Sequence, residues 1–296
     1  MIQATDNFTM TEQTTGQQWT EVIAPRRSVF DWRMKEVWHY RDLLFLFVKR
    51  DFVATYKQTI LGPLWHFIQP LLTTAIFLII FGRIAKIPTD GIEAIPFYMS
   101  GLTIWNYFSA CLTGTSNTFT ANAAIFGKVY FPRLVIPLSV IISNIIRFGI
   151  QFLLLLSALI YYGVTKGNFH FGVSWLLIPV LVVLMSGLGL GFGILISSLT
   201  TKYKDLAVLI GFGVQLLMYA TPIVYPMSYL VNAGKLVTVI RYNPLTPVVE
   251  GFKYALFGKP DFNIASLGYS FAWMIAVLLL GMITFNKTER SFMDTV

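Results

Sequence analysis

Six apolar runs of about 20 residues recur along the chain, each long enough at about 1.5 Å per residue to cross a hydrocarbon core about 30 Å thick. They fall near 64–83, 95–118, 134–162, 174–198, 206–226 and 266–285. The pattern differs ahead of the first run. Over 34–53 (MKEVWHYRDLLFLFVKRDFV), Val37, Tyr40, Leu44, Phe47 and Val48 return at helical spacing, while Lys35, Glu36, His39, Asp42, Lys49 and Arg50 fill much of the rest. This predicts an amphipathic helix with basic ends, suited to the membrane interface. The rival reading, a helix packed on a soluble domain, lacks a partner, since nothing else in the chain could form such a core. Between the fifth and sixth runs, 227–264 is too long for a bare connection. Two short helices are expected there, over 228–240 and 246–257, split by Arg241-Tyr242-Asn243-Pro244, with Pro244 starting the second.

These elements predict an all-α membrane protein: six transmembrane helices, an N-terminal amphipathic interface helix and short outer-loop helices. The expected division is an N-terminal segment over 1–62, a six-helix transmembrane domain over 63–286 and a tail over 287–296. No internal repeat or low-complexity segment appears.

Composition agrees. The chain is 55% hydrophobic and 12% charged, with mean hydropathy +0.66; soluble domains carry about 25% charged residues. The formal charge of +8 follows membrane topology, so no nucleic-acid partner is expected. Arg26, Arg27, Arg33, Lys35, Arg41, Lys49, Arg50 and Lys57 precede the first run. Lys128, Arg133, Lys202 and Lys204 lie in the loops that an even span number puts on the same side, as do Lys287 and Arg290 in the tail. The positive-inside rule therefore places both termini in the cytoplasm. The opening residues lack a basic stretch followed by an apolar one, so no cleaved signal peptide is expected. One cysteine, Cys111, excludes an internal disulfide. The scattered His39, His66 and His170 suggest no metal site.

The chain has no GxxxxGK[ST] phosphate loop: Gly127-Lys128 is followed by Val129, so ATP hydrolysis by that route is not expected. No Ser-His-Asp or paired-carboxylate set stands out. A membrane enzyme acting on lipid-linked sugars would need such a cluster, and Arg147 and Glu250 are too few. A non-transporting scaffold is a further rival.

The loop NAAIFGKVYFPRLVIP, residues 122–137, carries more than a reversal of direction requires. A short helix from Asn122 to Tyr130 is expected, stopped before Pro132 because the residue ahead of a proline disfavours the α region. Ile125, Phe126, Val129 and Tyr130 would give it an exposed apolar face, and Gly127 and Lys128 complete it. Such a helix is either a knob for a partner's groove or an interfacial turn with an aromatic anchor. In the third run Asn144, Arg147 and Gln151 share one helical face, near Ser143. A polar clamp between helices is the favoured reading; contact with an anionic group in transit is the other. Gly187, Gly189, Gly191 and Gly193 form two overlapping GxxxG pairs, which predict close helix packing.

The chain resembles the permease subunit of ABC transporters of the type-2 polysaccharide export family, which move O-antigen, capsule or teichoic acid chains. The resemblance covers most of the chain beyond the first thirty or so residues. It rests on Arg50-Asp51, on Tyr56-Lys57-Gln58-Thr59-Ile60-Leu61-Gly62-Pro63-Leu64-Trp65 with Pro70, and on Val129-Tyr130-Phe131-Pro132-Arg133 with Pro137. It continues in Tyr203-Lys204-Asp205, Thr221-Pro222-Ile223-Val224-Tyr225, Asn243-Pro244-Leu245 and the tail Glu289-Arg290-Ser291-Phe292-Met293-Asp294. Lys204 stands where Arg is expected. The resemblance implies that residues around 122–131 are a cytoplasmic coupling helix docking into a nucleotide-binding ATPase subunit. Tyr40, Arg41, Asp42, Arg50 and Asp51 would belong to an interface helix beside it, and Asn243 and Pro244 to an outer gate.

It further implies a homodimer with two ATPase subunits in the bacterial plasma (inner) membrane, moving lipid-linked polysaccharide, with ATP and Mg held by the partner and no cofactor in this chain. A permease for a drug or smaller lipid fits the same frame. For a saccharide path, rings on which sugar faces could lie are wanted. Phe77 and Phe81, Trp105 and Phe108, and Phe212 and Tyr219 are candidates alongside Arg147. The same rings would equally serve as lipid-facing or belt residues.

Overall fold

The computed structural model describes residues 34–57, 62–166, 172–203, 205–230, 234–258 and 262–292. Lys204, Gln58 to Leu61, and the ends of the N-terminal segment and tail lie outside them. Described residues form helices, turns and short irregular links, with no strand among them.

The lead-in breaks into α1 (Met34–His39) and α2 (Arg41–Tyr56), bent at Tyr40. α3 (Trp65–Phe77) continues as a more widely wound segment, Leu78–Ile84. Pro70 has no N–H to donate within α3, and the Thr74 hydroxyl bonds the Pro70 carbonyl at 2.8 Å. α4 (Ala94–Ser116) is followed, after Asn117 alone, by the short α5 (Thr118–Phe126). α6 (Val135–Lys166), α7 (Leu177–Thr200), α8 (Leu206–Tyr219), α9 (Lys235–Arg241), α10 (Thr246–Phe257) and α11 (Ala265–Phe292) complete the order.

Four helical stretches are long and apolar enough to cross a membrane: Trp65–Ile84, Val135–Lys166, Val173–Thr200 and Ala265–Glu289. The two other expected runs depart for different reasons. α4 is too polar, carrying Ser100, Thr103, Asn106, Tyr107, Thr113 and Thr115, yet it is buried along most of its length. Protein surrounds it, so its polar groups bond inward: the Thr115 hydroxyl, for example, donates to the Cys111 carbonyl at 2.7 Å. The fifth run was expected to reach 226, but α8 stops at Tyr219 and an apolar turn over 220–226 follows. α8 buries none of its residues in the single chain; Val208, Leu209, Phe212 and Leu216 stand exposed.

The core centres on α4, α6, α7 and α10, through Phe97, Phe108, Leu155, Leu181, Met185, Leu188, Val248 and Phe252. The glycines of α7 set its closest contacts. A Cβ at Gly189 would lie 2.8 Å from Cys111 Cβ, and one at Gly193 2.9 Å from the Leu112 carbonyl, so these two face α4. Gly191 faces α11 across Leu278 N at 3.0 Å, and Gly187 faces Met274 there. The overlapping GxxxG pairs thus serve two helix neighbours, one on each side.

Of the two outer-loop helices, the first is shorter than expected, Lys235–Arg241, preceded by a tight turn at Met227–Leu230. The second matches its expected range, but Pro247, not Pro244, occupies its first turn. Asn243 sets the entry instead: its Oδ1 accepts from Leu245 N at 3.0 Å.

Candidate functional site

The first candidate region is a collar at one end of the bundle. The inner face of α1 and α2 falls as its periodicity predicts: Val37 of α1 and Leu44, Phe47 and Val48 of α2 are buried. They join Phe119, Phe126, Phe131, Val135, Ile136, Ile194, Met282 and Phe285 in one apolar cluster, built from α1, α2, α5, the loop after α5 and the adjoining ends of α6, α7 and α11. Its rings form a chain across those elements. Phe47 and Phe131 lie 5.7 Å apart, Phe131 and Phe126 5.7 Å, Phe126 and Phe119 6.1 Å, and Phe119 and Phe285 4.5 Å. Arg133 is buried beside this chain, its guanidinium 5.2 Å from the Phe126 ring and 5.9 Å from that of Phe119. Burial pulls the guanidinium below its usual range and the Glu289 carboxylate opposes that shift. Two motifs far apart in sequence, the loop and the tail, are therefore electrostatically linked.

The expected coupling residues divide within this collar. Asn122, Ile125 and Phe126 belong to α5, with the Asn122 amide donating to the Thr118 carbonyl at 3.0 Å. The helix ends at Phe126; Gly127 and Lys128 close it in a turn, and Val129 and Tyr130 follow as an exposed tip. Phe126 was expected on an exposed face and is 4% exposed; Val129 and Tyr130 are 57% and 53% exposed. The reason is Phe119, one helical heptad earlier, which turns that side of α5 into the core. At the bend, Tyr40 is half-buried, and on α2 Arg41 and Asp42 are exposed and 3.9 Å apart. Arg50 bonds Asp51 at 2.8 Å and lies 4.7 Å over the Phe47 ring. The opposite face of α1 and α2 carries exposed Trp38, Phe45 and Leu46, which suits a helix lying against lipid.

Midway along the bundle, the expected polar stripe meets α4 at Gln151. Arg147 bonds Asn144 Oδ1 at 3.3 Å, and Gln151 Oε1 accepts from the Asn106 amide at 3.4 Å. Cutting this cross-helix bond with Asn106→Leu is expected to cost about 1 kcal/mol. The double variant Asn106→Leu with Gln151→Leu should recover part of it, measured by thermal unfolding in detergent. Additive losses would show that the two amides do not act as a pair.

The proposed path-lining rings also divide. Trp105 and Phe108 are packed in the core, 5.5 Å apart, and Phe77 is buried 5.3 Å from half-buried Phe81. Phe212 and Tyr219 are exposed on α8.

The second region lies at the opposite ends of the same helices. Here the turn over 220–226 is seated on α4: a Cβ at Gly101 would lie 2.7 Å from the Ile223 carbonyl. Asn243 holds the start of the turn, its amide donating to the Ala220 carbonyl at 2.9 Å and Thr221 Oγ1 at 3.0 Å. Pro244 follows it, and its carbonyl accepts from the Ser270 hydroxyl at 2.7 Å. Sequence reasoning missed the residue at the centre. Lys253 of α10 is 1% exposed; its Nζ donates to the Pro222 carbonyl at 2.6 Å and lies 4.0 Å over the Phe97 ring. Glu250 Oε1 is 3.9 Å away. Burial pulls the Lys253 ammonium down to about 8, against the opposing pull of Glu250 and Asp90. The one signal in the sequence was an acid and a base three residues apart inside an otherwise apolar helix.

A helical bundle with several membrane-length helices, a packed collar at one end and a pinned cap at the other is a multi-pass membrane protein built around its two ends. The model of the ABC-2 type transporter family matches residues 42–257, and the chain belongs to that family. It is similar to the O-antigen export system permease protein RfbA of Klebsiella pneumoniae, with 29% identity over 86% of this chain and 94% of that protein. The protein of the same name from Myxococcus xanthus is 26% identical over 87% of this chain and 96% of its own length.

Proposed function

We propose that this chain is the membrane-spanning permease of an ATP-driven exporter, moving a lipid-linked, O-antigen-like polysaccharide outward across the bacterial plasma membrane. Two copies pair around the path, and two nucleotide-binding ATPase subunits bind the collar, holding the ATP and Mg. In this reading α3, α4, α6, α7, α8 and α11 are the six spans, both termini are cytoplasmic, and the cap of α9, α10 and the 220–226 turn closes the outer mouth.

The observation that carries the reading is the likeness to O-antigen export permeases along nearly their whole length. The collar supports it mechanically. The exposed Lys128-Val129-Tyr130 tip stands on a helix that continues α4 after one residue and touches α11 through Phe119 and Phe285. A push on the tip therefore reaches two helices of the bundle as a rigid-body displacement. The rings of Phe212 and Tyr219 on α8, left largely open by the described residues, suit a seam with a second copy and its substrate path.

The test is co-purification in mild detergent with the ATPase encoded nearest this chain, followed by ATP hydrolysis with and without it. A stable complex whose hydrolysis rate changes with the permease is expected. Absence of a complex with every neighbouring ATPase would overturn the proposal.

A further inference from the structure

We propose that Lys253 is a two-position pin for the cap: it holds the 220–226 turn through the Pro222 carbonyl, and it releases the turn by moving to the Glu250 carboxylate. Its use in transport rests on the exporter reading above; its geometry and its test do not.

The asymmetry of the present arrangement points to a second position. Lys253 Nζ is fully engaged on one side, by Pro222 O at 2.6 Å and the Phe97 ring. Glu250, on the same helix face one turn back, is 8% exposed, and its Oε1 accepts no hydrogen bond from the described residues. An ammonium has three donors, but at 3.9 Å the carboxylate lies beyond hydrogen-bond reach. A buried carboxylate oxygen without a donor is costly, so Glu250 is a ready acceptor one side-chain rotation away. Asp90 contributes a further negative charge to both groups, and the Ser228 hydroxyl holds it at 2.7 and 2.9 Å.

Asn243 has no such alternative. Asn243 bonds Ala220 and Thr221 with one amide and Leu245 N with its oxygen, so its acceptor and its donor are both engaged. If the turn left α4 while Lys253 had only Pro222, the lysine would become a buried, uncompensated charge, which is strongly destabilising. Glu250 removes that penalty. The cap then has two discrete arrangements of one charged group rather than a graded loosening.

The test places a reporter in the turn. Val224 is buried there, and Cys111, the native thiol, is buried in the core. In Val224→Cys, the rate of modification by a hydrophilic maleimide, in membranes opened so that both faces are accessible, reports how often the turn lifts. Adding Lys253→Met is expected to raise that rate at least about tenfold. Adding the nearly isosteric Glu250→Gln separates the pin from a static ion pair. With a neutral and weaker second acceptor, the lysine stays on Pro222 and the rate falls about fivefold. A static pair predicts the opposite sign, because losing the carboxylate would weaken the closed state. A rise or no change in Glu250→Gln, or no change in Lys253→Met, would overturn the proposal. If Lys253→Met does not accumulate, Glu250→Gln alone decides. No ATPase takes part in this comparison, so failure of the exporter reading would appear in the co-purification and leave the order of these rates untouched.

Discussion

Gly193→Val is expected to destabilise the bundle by about 3 kcal/mol or more, with a lower unfolding midpoint in detergent and loss of a single species on gel filtration. A Cβ at Gly193 would run into the Thr115 hydroxyl and lie 2.9 Å from the Leu112 carbonyl. Neither obstacle can move cheaply. The carbonyl is backbone, and Thr115 Oγ is bonded to the Cys111 carbonyl at 2.7 Å, which fixes its rotamer. α7 and α4 would have to separate along the seam that Gly189 also shares. The loss would propagate, because α4 is buried along most of its length and leads directly into α5. Gly211 of α8 provides the comparison, since a Cβ there meets nothing within 4 Å. Gly211→Ala should change the midpoint by less than about 1 kcal/mol equivalent. Equal shifts for the two variants would mean that the α7–α4 seam is not held at close approach.

How far the fold was legible in the sequence varies element by element. The third and fourth runs, expected over 134–162 and 174–198, appear as Val135–Lys166 and Val173–Thr200, because long apolar periodicity leaves few alternatives. The fifth run misled at its end. Ile223 and Val224 are as apolar as a span, but they are buried because they form a turn against Gly101, a tertiary fact with no local signature. α4 showed the converse: it is too polar for a lipid-facing helix and is buried in protein instead. The site was legible in its motifs and illegible in its partnerships. The loop and tail sequences stood out separately, whereas the approach of Arg133 to Glu289 needed the fold. Lys253 went unremarked because a lone base in a short helix ordinarily reaches toward water, whereas here the 220–226 turn and the Phe97 ring enclose it.

The loop at 122–131 yields the second large effect, as a contrast between neighbours. Phe126→Asp is expected to disrupt the collar itself, because a carboxylate would replace a ring buried among Phe119, Phe131 and Arg133. Arg133 offers one compensating charge, but the Glu289 carboxylate already acts on that guanidinium, and the lost ring contacts are not restored. A cost of about 3 to 5 kcal/mol is expected, combining loss of a buried Phe side chain with burial of a charge. It would be seen as reduced accumulation and early unfolding. Tyr130→Asp should leave stability within about 0.5 kcal/mol, since surface substitutions away from packed features change little, and Tyr130 is half-exposed at the tip. Under the exporter reading this second variant, and not the first, isolates docking. The chain should accumulate and unfold normally while co-purification with the ATPase falls at least about tenfold, as for loss of one aromatic anchor at an interface. Paired with Val129→Asp it should abolish capture. A Tyr130→Asp, Val129→Asp chain that still retains the ATPase would place the docking surface elsewhere, and the collar would then be a structural belt at the membrane surface.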